Sequence, residues 1–173
     1  MASLVITVIG DDRAGLVNAL SGAIARHGGN WDRSHLTELA GKFAGIVLAT
    51  VAETNMDDLL VDLERIEAQG LLHITAERAD TEQSPAVSHR LSLELVGQDH
   101  PGIVHEISDV LARHRVSIEE LETETTPAPM GGHLFRARAS LEAPTSVDPD
   151  DLQRVLEAVA HDLMVDLDFT EED

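Results

Sequence analysis

Cysteine is absent from the 173 residues, and so is tyrosine. Without cysteine there is no disulfide, no thiol nucleophile and no cysteine metal site. Aromatic residues make up 2% of the chain, one Trp and three Phe. A core must therefore come from Leu, Val, Ile and Ala, and platforms for stacking nucleic-acid bases are missing. Basic residues are scarce too. Twelve Lys and Arg, among which Lys42 is the single lysine, stand against 32 Asp and Glu, for a formal net charge of −20. Nucleic-acid phosphates and anionic membrane surfaces both call for a basic face, so direct binding to either is not expected. No apolar run approaches the roughly 18 residues of a membrane span. The opening Met1-Ala2-Ser3-Leu4-Val5 lacks the basic start of a secretory signal. A soluble cytoplasmic protein is the expectation.

What is present suffices for folded domains, with 43% apolar and 25% charged residues. The chain also repeats itself. Gly10-Asp11-Asp12-Arg13-Ala14-Gly15-Leu16-Val17 lines up with Gly97-Gln98-Asp99-His100-Pro101-Gly102-Ile103-Val104. The register holds without a gap to Ala25-Arg26-His27 against Ala112-Arg113-His114. Two similar units follow, a first domain over 1–80 and a second over 89–173, joined by a polar linker over 81–88.

Each unit reads the same way. An apolar strand comes first, near Leu4–Ile9 and Leu91–Leu95. The second of these alternates cleanly, so it has one buried and one wet face. The first is apolar on both faces, so a cover over its second face is expected. A helix follows, with Leu16, Leu20, Ala23, Ile24 and His27 on one stripe and Ile103, Ile107, Val110, Leu111 and His114 on its counterpart. Asp12 and Asp99 stand where an N-cap is expected, Pro101 suits a first turn, and Gly28-Gly29 stops the first helix. Extended segments near 30–40 and 42–52 meet at a tight turn, Ala40-Gly41. The second unit has a longer loop there, 126–132. A second helix carries Leu59, Leu60, Leu63 and Ile66, or Leu152, Val155, Leu156 and Val159. A last strand lies near 71–79 and 163–169. The order β-α-β-β-α-β, twice, is the α+β ferredoxin-like arrangement, an antiparallel sheet with helices on one face.

The glycine loop before the first helix is where chemistry is best placed. A helix N-terminus offers unpaired N–H groups and the positive end of a dipole to an anion such as a carboxylate. Gly15 and Gly102 leave room for close approach, and the carboxylates of Asp12 and Asp99 could accept from an ammonium group. A small zwitterion fits such a loop; so does a plain helix cap. The G-x-x-x-x-G spacing lacks the Lys and Ser/Thr of a nucleotide-binding P-loop. None of the nine histidines has a neighbour at metal-site spacing, so no metal and no cofactor are expected. With no thiol, no nucleophile elbow and no marked cleft, the chain is not expected to be an enzyme.

The βαββαβ unit opening with Gly-x-Asp-x-Pro-Gly-[Ile/Leu/Val]-Val resembles the ACT domain. Gly97–Val104 matches that signature throughout; Gly10–Val17 carries Ala14 in place of Pro. As a tandem pair over nearly the whole chain, it is similar to the free-standing double-ACT group of glycine cleavage system transcriptional repressors. The resemblance implies an amino-acid-sensing regulator whose domains pair side by side, often in a homodimer. A small amino acid such as glycine or serine would bind between domains and control transcription of amino-acid metabolism through a protein partner. Carried onto this chain, the ligand-binding residues would be Asp12, Arg13, Ala14, Gly15 and Leu16 with Asn30 and Trp31. In the second unit they would be Asp99, His100, Pro101, Gly102 and Ile103 with Ser117 and Ile118. Arg13 aligns with His100, so the two loops are not equivalent. The alternative is an interaction or oligomerisation module that binds no ligand.

Overall fold

The computed structural model describes residues 1–79 and 88–172. The chain forms two compact units, Met1–Gln83 and Ser84–Asp173. The expected linker lies outside the described residues except for Ser88, which opens a strand.

In the first unit β1 (Ala2–Asp11) leads to α1 (Leu16–Arg26), then to the hairpin β2 (Asn30–Leu39) and β3 (Lys42–Val51). A single 3-10 turn at Glu53–Asn55, α2 (Met56–Ala68) and β4 (His73–Arg78) complete it. The strands lie in the order β2-β3-β1-β4, antiparallel throughout. The second unit repeats this with β5 (Ser88–Gln98), α3 (Ile103–Arg113), β6 (Ser117–Pro127), β7 (His133–Pro144), α4 (Pro149–Asp162) and β8 (Val165–Glu172). Its order is β6-β7-β5-β8, again antiparallel. The expected ferredoxin-like fold is present in both units.

Helical periodicity on one side and strand alternation on the other build each core. Leu4, Ile6 and Val8 of β1 meet Leu16, Leu20, Ala23 and Ile24 of α1 and Leu59 and Leu63 of α2. Leu91, Leu93 and Leu95 of β5 play the same part against α3 and α4. Truncating a fully buried leucine such as Leu4 or Leu91 to alanine is expected to cost about 2–5 kcal/mol. In α4 the buried stripe is Leu152, Leu156 and Ala160, spaced by four. Val155, expected on that stripe, is exposed, because it lies a quarter-turn away on the solvent flank.

The hairpin turn is two residues long, with Ala40 at φ 51° and Gly41 at φ 80°. Both lie in the left-handed region, as a type I′ turn requires to match the twist of the flanking strands. The α1 stop is a Schellman motif. Gly28 N–H donates to Ala25 O at 3.0 Å and Gly29 N–H to Ile24 O at 2.9 Å. His27 and His114 are the C-cap residues, as their late-helix positions suggested.

Candidate functional site

The two glycine loops share one backbone design. Asp12 N–H donates to Gly41 O at 2.9 Å, and Asp99 N–H to His133 O at 2.8 Å, tying each loop to the β2–β3 or β6–β7 hairpin. The N-cap residues are Gly15 (φ 96°) and Gly102 (φ 99°). Asp12 and Asp99 each precede the cap by three residues, so the expected aspartate caps are not formed. The reason is the left-handed glycine turn, which delays each helix to Leu16 and Ile103 and puts Pro101 in the turn before it. Ala19 N–H donates to Gly15 O, and Glu106 N–H to Gly102 O, closing the first turn. The three amides before them have no acceptor within their own helix.

The two glycines of the motif do different work. A Cβ on Gly10 would fall 2.5 Å from Leu71 O, and one on Gly97 would fall 2.6 Å from Val165 Cγ1. Those glycines let the chain pass close by as it enters the last strand of each unit. Gly15 and Gly102 meet nothing within 4 Å; there the left-handed φ is what selects glycine, and the space beside it is open.

Asp12, Arg13, Ala14 and Gly15 are exposed, as are Asp99, Pro101 and Gly102. Leu16 and Ile103 are core side chains, so each can offer the loop only a backbone amide. His100 is half-buried and tied down. Its Nε2 lies 2.8 Å from Leu163 O, at the end of α4, and its Nδ1 lies 3.1 Å from Pro101 O. Both neighbours are acceptors, so both ring nitrogens donate only when the imidazole is protonated. Those bonds, with Leu163 first and then Pro101, hold its pKa above the ordinary histidine value. Arg13, its counterpart, is exposed.

The second half of each expected site lies far from the first. Asn30 pairs with Thr50, which pairs with Ser3, whereas Asp11 pairs with Lys42, which pairs with Leu39. The start of β2 and the loop after β1 thus occupy opposite ends of one sheet, about 27 Å apart at strand rise. The same register separates Ser117 from Asp99. Asn30 and Ser117 are exposed, and Asn30 Nδ2 donates to Asp32 Oδ1. Trp31 is half-buried, packs on the core and donates Nε1–H to Ser34 Oγ at 3.1 Å. Ile118, at the Trp31 position, lines an apolar groove with Val104, Ile107, Leu111 and Leu121 between α3 and β6.

Val17 and Val104 are apolar residues of the repeat that the helices leave on the surface. They are 44% and 42% exposed at matching places beside the two loops. In the sequence they are an identical apolar residue, repeated 87 positions apart, that falls off the buried helix stripe. Among the described residues no cluster of three or more His, Asp or Glu could hold a metal ion. No described helix is long and apolar enough to cross a membrane.

Comparison with known proteins agrees with this architecture. Residues 2–76 match the family model for the ACT domain. The glycine cleavage system transcriptional repressor of Escherichia coli (strain K12) is 24% identical over 161 residues, covering 92% of this chain and 85% of that protein. The crystal structure of an unknown protein from Galdieria sulphuraria is 33% identical, covers 99% of both chains and superposes with a TM-score of 0.88. A crystal structure assigned as a glycine cleavage system transcriptional repressor shares the fold at 17% identity, with a TM-score of 0.72 over 99% of this chain and 98% of that one. The first unit carries an ACT domain, the second repeats its fold, and the chain as a whole is similar to the glycine cleavage system transcriptional repressors.

Proposed function

We propose that this protein is an amino-acid-sensing regulator, not an enzyme. It binds a small amino acid of the glycine or serine type and acts on transcription of amino-acid metabolism, in the cytoplasm, through a protein partner. Its ACT domains span 1–80 and 89–173. The observation that carries the reading is the duplicated loop. An exposed aspartate, free of capping duty, stands beside a helix start whose cap is a left-handed glycine with open space around it. Ammonium and carboxylate ends of one small zwitterion suit those two features. The loop and the β2 or β6 start lie at opposite ends of each sheet, so in this reading the other half of the site comes from a second ACT unit. Ligand binding is thereby coupled to how ACT units associate, and unequal binding to two association states is what regulation requires.

The test is a titration with each of the twenty amino acids, following Trp31 fluorescence and melting temperature together. A ligand selective for the native state raises the melting temperature by mass action. We expect a saturable response to one or two small amino acids. Asp12→Ala or Asp99→Ala should abolish it with little loss of stability, since neither carboxylate caps a helix. Silence in both signals at millimolar ligand overturns the sensor reading and leaves a ligand-free interaction module.

A further inference from the structure

The outer face of the first sheet, opposite the helices, is unlike the matching face of the second. Three rows cross it from β2 to β4. They are Arg33–Leu48–Val5–Glu77, His35–Ile46–Thr7–Thr75 and Thr37–Ala44–Ile9–His73. The equivalent rows of the second sheet are Glu120–Ser140–Ser92–Thr170, Glu122–Arg138–Glu94–Asp168 and Glu124–Arg136–Val96–Asp166. The second face is strongly acidic and laced by the exposed pairs Arg138–Glu94 and Arg136–Glu124. The first carries one Arg and one Glu, hence no net charge with neutral histidines, and an apolar centre. Ile9 is 50% and Ile46 51% exposed there. In a chain of net charge −20, this neutral apolar patch is where a second copy can approach without like-charge repulsion.

The arrangement is also self-complementary. Arg33 and Glu77 end the same row on opposite edges of the sheet. A two-fold axis parallel to the strands, lying between two stacked sheets, turns β2 of one copy over β4 of the other. Arg33 then faces the partner's Glu77, and Glu77 faces the partner's Arg33. In the centre Leu48 faces the partner's Val5, Ile46 the partner's Thr7 and Ala44 the partner's Ile9. The strand directions stay aligned, as face-to-face sheets prefer. The face measures about 600 Å² at ordinary strand spacing and rise, or about 1,200 Å² for two copies. That reaches the lower bound of a stable interface, about 1,200 Å². We propose that two copies of this chain pair through the outer sheet face of the first unit, with reciprocal Arg33–Glu77 contacts at its rim. This pairing is independent of ligand binding and uses neither glycine loop.

The experiment is sedimentation equilibrium of the full chain over a micromolar dilution series, with circular dichroism to confirm folding of each variant. The wild type should dimerise. Ile46→Glu, at a half-exposed position that the core does not use, should raise the dissociation constant roughly 30-fold or more, as for a central interface residue. Arg33→Glu should weaken the dimer, and Arg33→Glu combined with Glu77→Arg should restore it. Arg138→Glu, the counterpart of Ile46 on the second unit, should leave it unchanged. A monomer at all concentrations, a dimer indifferent to Ile46→Glu, or failure of the charge swap to restore association would each overturn the proposal. A different protein seated on this face would leave the purified chain monomeric.

Discussion

Arg115 occupies, in the second unit, the backbone position that Gly28 occupies in the first. Their φ values are 59° and 67°. Both stand just past the first helix of their unit, and both motifs close alike, with Arg115 N–H on Ala112 O and Val116 N–H on Leu111 O. Glycine takes this left-handed conformation freely, whereas a side chain pays about 1–2 kcal/mol for it. Glycine also gains freedom in the unfolded chain, worth up to about 1 kcal/mol in the other direction. Arg115→Gly is therefore expected to stabilise the second unit by about 0.5–1 kcal/mol, and Gly28→Arg to destabilise the first. Urea unfolding reads both signs; a lower midpoint for Arg115→Gly would contradict the argument.

The β2–β3 turn invites a parallel substitution. Ala40 sits at the first left-handed position of a type I′ turn, where asparagine is preferred. Ala40→Asn should raise the melting temperature of the first unit modestly, and Gly41→Ala should lower it.

Asp148 caps α4 where no aspartate caps α1 or α3. Its Oδ1 accepts from Asp150 N–H at 3.0 Å, with Pro149 as the first helical residue. Asp148→Ala should cost about 1 kcal/mol. Asp12→Ala and Asp99→Ala should cost clearly less, a contrast that chemical denaturation of the three variants would reveal.

His100 gives the second unit a pH dependence of defined sign. Its folded pKa is raised by the carbonyls of Leu163 and Pro101. The protonated ring is thus favoured by folding, and that stabilisation is complete below the unfolded histidine value of about 6.5. It is lost as pH rises through the higher folded pKa. Proton NMR of the imidazole should show the raised titration, and His100→Gln should flatten stability across that window.

Asp62 behaves in the opposite sense. It joins α2 to the end of α1, accepting from Arg26 at 2.7 Å and lying 3.2 Å from His27 Nε2. The Arg26 hydrogen bond above all holds its carboxyl below the ordinary aspartate range. Its contribution is present above the unfolded value of about 3.9 and disappears as pH falls through the lower folded pKa. Asp62→Asn should lose under about 1 kcal/mol at neutral pH, as partly exposed ion pairs do, and should unfold less steeply with acid.

Much of this fold is legible in the amino-acid sequence. Alternation at Leu91, Leu93 and Leu95, helical spacing at Leu16, Leu20 and Ile24, and the Ala40-Gly41 turn are local patterns, and local patterns determine elements. The repeat at 87 residues then determined that one fold occurs twice, with its glycine loops in equivalent places. The absence of cysteine excluded disulfides and thiol chemistry from the outset. Only the tertiary structure decided what depends on register and on neighbours distant in sequence. Whether Asp12 caps a helix turned on the φ of Gly15, and Gly10 needed to be glycine because Leu71 passes beside it. The separation of Asn30 from Asp12 followed from strand pairing through Thr50 and Ser3, which no linear spacing encodes. The contrast between a neutral face at Ile46 and an acidic one at Arg138 emerged only when four strands were laid side by side, since each strand contributes just one residue to a row.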